Sequence, residues 1–256
     1  MARFPRNTGV AYTFGPGRPT PAIKLLLVTN VIAYLVALIV PVMVVELGLV
    51  PRAVFEQLAV YQLVTYMFLH GGMMHLLFNM LALWMFGTEL ERTWGTRFFT
   101  KYYFVTGIGA GVMTLLWSIS GLPLGDSIYY SVVIGASGAI YGVLIAYAML
   151  FPHRTIYMYA VFPIQARYFV MIIGAITFLS SVGAGGTGVA HTAHLGGLVI
   201  GYVYLKSLRG GGPFQELKYR WLRWKMQRAR SRFDVYSGGR KGSDDDWKND
   251  WKKHIH

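Results

Sequence analysis

Residues 135–152 read GASGAIYGVLIAYAMLFP and residues 189–206 read VAHTAHLGGLVIGYVYLK. Each is an apolar block almost free of charge, and each carries near its start one polar side chain of a catalytic type, Ser137 in the first and His194 in the second. Blocks of this length and composition are what a bilayer demands of a helix, because no water is present there to solvate charge or unpaired backbone. Working outward, four further blocks of the same kind complete six expected spans, near 23–46, 72–88, 98–118, 135–152, 167–182 and 189–206. The chain as a whole agrees: 54% of its 256 residues are hydrophobic and 14% charged, and the mean hydropathy of +0.43 excludes an ordinary soluble domain. The expected fold is all-α, a six-transmembrane-helix bundle over 23–207, with a cytoplasmic segment at 1–22 and a basic cytoplasmic tail at 208–256.

The cations set the orientation. With six crossings, 23 of the 24 Lys and Arg residues fall on one side, Arg52 alone falling on the other. The positive-inside rule therefore expects both termini in the cytoplasm of a prokaryotic plasma membrane. The first apolar run has no small-residue cleavage site and reads as a retained anchor. The net charge of +13 is concentrated in the tail, where 206–256 carries 14 cations against 6 acids. Aromatic and basic residues alternate over Glu216–Arg232, which suits an amphipathic helix on anionic lipid and not a nucleic-acid site, while 237–256 reads as disordered. With no cysteine, disulfides and thiol chemistry are excluded.

Polar groups at membrane depth are costly, so each requires a reason. In FLHGGMMHLLFN, His75 and Asn79 share one helix face and His70 stands just before it. Counting at about 1.5 Å per residue from the cytoplasmic marks Glu89, Phe151 and Arg209, His75, Ser137 and His194 all lie roughly 21–22 Å above the inner boundary. Within a hydrocarbon core of about 30 Å they share one level toward the outer face. Gly138 and Gly142 follow Ser137 on its helix, and Gly197 and Gly201 share the face of His194. Small residues at this spacing allow two helices to approach backbone to backbone and bring hydroxyl and imidazole together.

Serine becomes a nucleophile when a base takes its proton, and neutral imidazole suits that work. No Asp or Glu lies in the last three spans, so the expected unit is a Ser137–His194 dyad, with Tyr141 one turn below the serine to pack against the imidazole. His75, Asn79 and the Ser137 backbone N–H are candidate donors to an oxyanion. The plainer reading of His75 and Asn79 is interhelical polar glue. His191 is a weaker candidate base because the glycine register does not follow it. There is no HExxH, and no metal site or cofactor is expected.

These pieces resemble the rhomboid intramembrane serine proteases over about 20–206. The resemblance rests on HGGMMHLLFN, ELERTWGTRFFTKYYF, GASG at 135–138 and AHLGGLVIG at 193–201, in this order. It implies a six-helix core, Ser137 as nucleophile, His194 as base, and an oxyanion hole of His75, Asn79 and the Ser137 backbone. It also gives supporting roles to Gly135, Gly138, Gly197 and Gly201, and makes His70 a structural residue under the first outer loop. Implied partners are single-span or polytopic membrane-protein substrates within the bilayer, cut after a small residue with helix breakers beyond. One departure concerns that outer loop, where many members carry Trp–Arg and this chain has Tyr61 and Gln62.

Two other functions fit some of these residues. A catalytically silent relative that binds client helices would be indifferent to Ser137→Ala. A transporter would want charged groups at the midplane, and none accompanies this site. The glycine-rich stretch 182–193, VGAGGTGVAHTA, reads equally as a lid or as a flexible turn.

Overall fold

The computed structural model describes residues 15–122, 125–158, 162–182 and 189–208, together with Arg223. The compact unit ends at Leu208. Residues 183–188 of the stretch that reads equally as a lid or a turn, and almost all of the amphipathic and disordered tail segments, lie outside the described residues.

Eleven helices are described. In chain order they are α1 (Pro21–Ile39), α2 (Val42–Leu47), α3 (Pro51–Gln57), α4 (Gln62–Thr65), α5 (Met73–Ala82), α6 (Thr88–Trp94), α7 (Thr96–Ser118), α8 (Gly125–Tyr129), α9 (Ser137–Leu150), α10 (Ala166–Val182) and α11 (Val189–Leu208). A 3₁₀ turn at Tyr66–Phe68 follows α4, and a π turn at Leu83–Gly87 joins α5 to α6 in one rod. Two rods, Pro21–Ile39 and Met73–Trp94, are long and apolar enough to cross a membrane, and Ser137–Leu150 and Ala166–Ser180 are shorter apolar helices.

The first helix is shorter than the expected 23–46. Hydropathy continues past residue 40, but Pro41 has no N–H to donate, so the chain turns there and restarts as α2. The all-α expectation also needs correcting, because an antiparallel hairpin joins α9 to α10. Its strands are β1 (Thr155–Met158) and β2 (Phe162–Gln165), paired Ile156 to Ile164. Ile156 is buried beneath it and Tyr157 faces out, the alternation a half-buried strand requires.

α9 sits at the centre. Gly138, Ala139, Ile140, Gly142, Val143, Leu144, Ala146, Tyr147 and Ala148 are all buried, so it is apolar all round and enclosed, chiefly by α7 and α11. The outer helices are the reverse. Leu25, Val28, Ile32, Leu35 and Leu38 on α1, and Met171, Ile172, Ile176 and Leu179 on α10, are exposed large hydrophobics. Such continuous apolar surface matches a lipid-facing helix and not a water-facing one.

Glu91 holds the start of α1. Its carboxylate, 2% exposed, accepts the N–H groups of Ala22 and Ile23 at 3.0 Å each, the Thr96 hydroxyl at 2.7 Å and the Thr20 hydroxyl. Those N–H groups have no partner within their own helix, and a carboxylate there also faces the favourable end of the helix dipole. At the same end, Glu89 accepts from Tyr147 at 2.5 Å and pairs with Arg154, joining α6, α9 and the hairpin.

Candidate active site

The turn that delivers Ser137 is built by backbone contacts. Leu49 and Val133 exchange N–H to carbonyl bonds of 2.9 and 2.8 Å, and the Gly135 N–H donates to the Tyr66 carbonyl at 2.9 Å. Gly135 has φ +128°, a conformation that L side chains rarely adopt. A Cβ there would also lie 3.0 Å from His75 Nε2 and 3.4 Å from Ser137 Oγ. The small residue therefore keeps open the space between these two side chains. Ser137 is the first residue of α9, so its N–H has no acceptor within the helix.

His194 Nε2 lies 2.7 Å from Ser137 Oγ, within the range of a strong O–H to N hydrogen bond. The Tyr141 ring stacks on the His194 imidazole at 4.4 Å between centroids and 6° between planes. Both members of the pair are half-buried. His194 Nδ1 is buried and without a hydrogen-bond partner among the described residues. An acceptor on Nε2 places the proton of a neutral ring on Nδ1, which is the tautomer a base toward Ser137 requires.

The helix approach that permits this contact depends on glycine. A Cβ on Gly197 would lie 1.9 Å from the Gly138 carbonyl oxygen, so α11 and α9 touch backbone to backbone one turn from the dyad. Gly138 also faces Ala110, at 2.8 Å from a hypothetical Cβ, and Gly201 faces the Tyr102 hydroxyl at 2.6 Å.

His75 reaches the same space from α5, and Asn79 lies one turn further along that helix. The Gly71 N–H donates to His75 Nδ1 at 3.4 Å, which leaves Nε2 as the protonated nitrogen of a neutral ring, directed toward Gly135. Asn79 Nδ2 donates to the His75 carbonyl at 2.9 Å, and its second amide hydrogen has no partner among the described residues. His70 is buried, with its ring edge-on to His75 at 5.0 Å. His191 lies edge-on to His194 at 5.9 Å, and the imidazole within hydrogen-bond range of Ser137 Oγ is that of His194.

Tyr66 and Thr177, which the sequence reading did not single out, and Gln62, noted there only as a departure from Trp–Arg, support this geometry. Tyr66, 1% exposed, donates its hydroxyl to the Gly107 carbonyl at 2.6 Å and holds Gly135 through its own carbonyl. Thr177 on α10 donates to the Tyr141 hydroxyl oxygen at 3.2 Å. Gln62 accepts the Val50 N–H at 3.0 Å and donates to the Glu46 carbonyl at 3.1 Å, with Tyr61 donating to the same carbonyl at 3.3 Å. Tyr61 and Gln62 thus tie the start of α4 to the end of α2 and the start of α3. Only Thr177, a lone hydroxyl in the run FVMIIGAITFL, carried a visible sequence signal, and a threonine that can bond its own helix backbone is a weak one.

The Rhomboid domain family matches residues 57–210. Among curated relatives, the mitochondrial Rhomboid protein 1 of Saccharomyces cerevisiae is 37% identical over 147 residues, covering 54% of this chain and 38% of the relative. Rhomboid protease AarA of Providencia stuartii is 32% identical over 149 residues, covering 53% and 51%. Rhomboid protease GluP of Bacillus subtilis is 32% identical over 144 residues, covering 56% and 25%. The aligned region thus spans about half, or less, of these relatives' own length. The matched segment takes in α4 through α11, including Tyr66, His70, His75, Asn79, Gly135, Ser137, Tyr141, Thr177 and His194, and on that ground the chain belongs to the rhomboid family of membrane proteins.

Proposed function

We propose that this chain is an intramembrane serine endopeptidase that cuts transmembrane segments of other membrane proteins with a Ser137–His194 dyad. The observation that carries the reading is the 2.7 Å contact between Ser137 Oγ and His194 Nε2 across two glycine-packed helices. In this reading α1, the rod Met73–Trp94, α7, α9, α10 and α11 cross the bilayer, with both termini cytoplasmic.

A substrate helix unwinds locally to present an extended peptide bond, since a helical bond has its carbonyl engaged. His194 Nε2 takes the Ser137 proton as Oγ attacks the carbonyl carbon, and the ring becomes imidazolium, its plane held by the Tyr141 face. Negative charge on the tetrahedral oxygen is met by the Ser137 N–H, the His75 Nε2–H and the second Asn79 amide hydrogen, three donors with no competing acceptor among the described residues. His194 then returns the proton to the leaving nitrogen. Water, activated by the same imidazole, releases the acyl group and restores Ser137. His70 supports His75 from behind, and Gly135 leaves room for the scissile carbonyl.

The test is cleavage of a panel of single-span substrates in detergent or vesicles by the wild type and by Ser137→Ala. The wild type cuts at least one within its membrane segment, and the variant cuts none. Cleavage that survives Ser137→Ala, or a folded wild type that cuts none of the panel, rejects the reading.

A further inference from the structure

We propose that Thr177, on the lipid-facing helix α10, is a positioning residue for the base: it holds the Tyr141 phenol, and Tyr141 holds the plane of His194. This rests on the protease reading above and extends it to a residue outside the reacting groups.

Between Met171 and Ser180, Thr177 is the one buried residue of α10, 2% exposed, while Met171, Ile172, Ala175, Ile176, Phe178 and Leu179 are exposed. Gly174 marks the neighbouring contact with α11, where a Cβ would meet Leu198 at an ordinary 3.5 Å. That half of the helix therefore turns a side chain fully inward at one position, and the side chain carries a hydroxyl. Its hydroxyl donates to the Tyr141 phenol oxygen at 3.2 Å, and the Tyr141 ring lies parallel to the imidazole at 4.4 Å. A buried hydroxyl in an apolar helix is costly unless it is satisfied, and here it reaches the ring that backs the base.

The chemistry gives the link its purpose. In the dyad Nδ1 of His194 has no hydrogen-bond partner among the described residues, so none of them fixes the rotation of the imidazole about Cβ–Cγ as a carboxylate does in a triad. The parallel ring of Tyr141 takes over that task, and a phenol anchored at its far end cannot tilt. Because Thr177 belongs to α10, the base is held in line while α10 is docked, and movement of that helix loosens it.

The experiment measures the second-order rate of Ser137 labelling by a fluorophosphonate and, separately, kcat and KM for a transmembrane substrate. The wild type, Thr177→Val, Thr177→Ser, Tyr141→Phe and the double variant Thr177→Val/Tyr141→Phe are compared. Thr177→Val, which keeps the shape and removes the hydroxyl, lowers labelling and kcat three- to tenfold with KM unchanged. Thr177→Ser restores both. Tyr141→Phe keeps the stacked ring, and its loss equals that of the double variant, because both changes break one link. Should Thr177→Val fail to fold, Tyr141→Phe and Thr177→Ser still decide, since the first must lose labelling and the second must keep it. Wild-type labelling by Thr177→Val, or losses that multiply in the double variant, overturns the inference and leaves the protease reading intact. Absence of labelling in a folded wild type overturns both.

Discussion

Replacing Gly197 by alanine tests the helix approach on which the dyad depends. The new Cβ would stand 1.9 Å from the carbonyl oxygen of Gly138, a backbone atom that cannot rotate away. Relief to a contact of about 3.5 Å requires ~1.6 Å of separation between α9 and α11. Ser137 and His194 sit on these two helices 2.7 Å apart, so the same movement carries them beyond hydrogen-bond range. Overpacking of this kind costs about 1–3 kcal/mol of stability, and a misplacement near 1 Å at reacting groups costs about 10²-fold in rate. Gly174→Ala is the matched control, since its Cβ would meet Leu198 at 3.5 Å, an ordinary contact. Thermal unfolding in detergent and substrate cleavage report the two effects. Gly197→Ala with unchanged Tm and unchanged turnover would show that the backbone contact does not set the spacing of the pair.

Further expectations follow from single contacts. Glu91→Gln places an amide among four donors, from Thr20, Ala22, Ile23 and Thr96, and destabilises the fold by about 1.5–3 kcal/mol. Unfolding in a series of detergent–denaturant mixtures reads it, and an unchanged midpoint would mean that α1 does not need this cap. Tyr66→Phe removes the 2.6 Å bond to Gly107 at a cost of about 0.5–1.5 kcal/mol. The Tyr66 carbonyl still holds Gly135, so fluorophosphonate labelling continues at a rate near wild type. Gln62→Ala leaves the Val50 N–H and Glu46 carbonyl without their side-chain partner and costs about 1–3 kcal/mol. Limited proteolysis detects the loosened first loop, and an unaltered pattern would remove the anchoring role.

The parts of the site that were legible in the sequence are those where chemistry conflicts with surroundings. Ser137, His75, Asn79 and His194 are polar groups in apolar runs, and the structure brings Ser137, His75 and His194 together, with Asn79 one turn from His75 on α5. Tyr141 was legible from its one-turn spacing to Ser137, and Gly197 from its register with His194. The rest lay in interactions that hydropathy does not record. Pro41 ends α1 inside a run that is apolar on both sides, and local dihedral limits there outweigh hydropathy. The hairpin at 155–165 arises from a few β-branched and aromatic residues too short to read against two long helices. Glu91 looked like one of several loop carboxylates, and only the folded chain brings the start of α1 to it, about seventy positions away in sequence. The 3.2 Å link from Thr177 to Tyr141 likewise joins positions 36 apart, and no periodicity signals it.

The central claim is that the Ser137 hydroxyl is activated by His194. Its most direct test is the rate at which a fluorophosphonate modifies Ser137, read by peptide mass spectrometry on folded wild type and on His194→Ala. A single adduct on Ser137 in the wild type, slowed by about 10²–10⁴-fold when the imidazole is removed, is the predicted result. A folded wild type that stays unmodified, or an adduct that forms equally fast without His194, would contradict it.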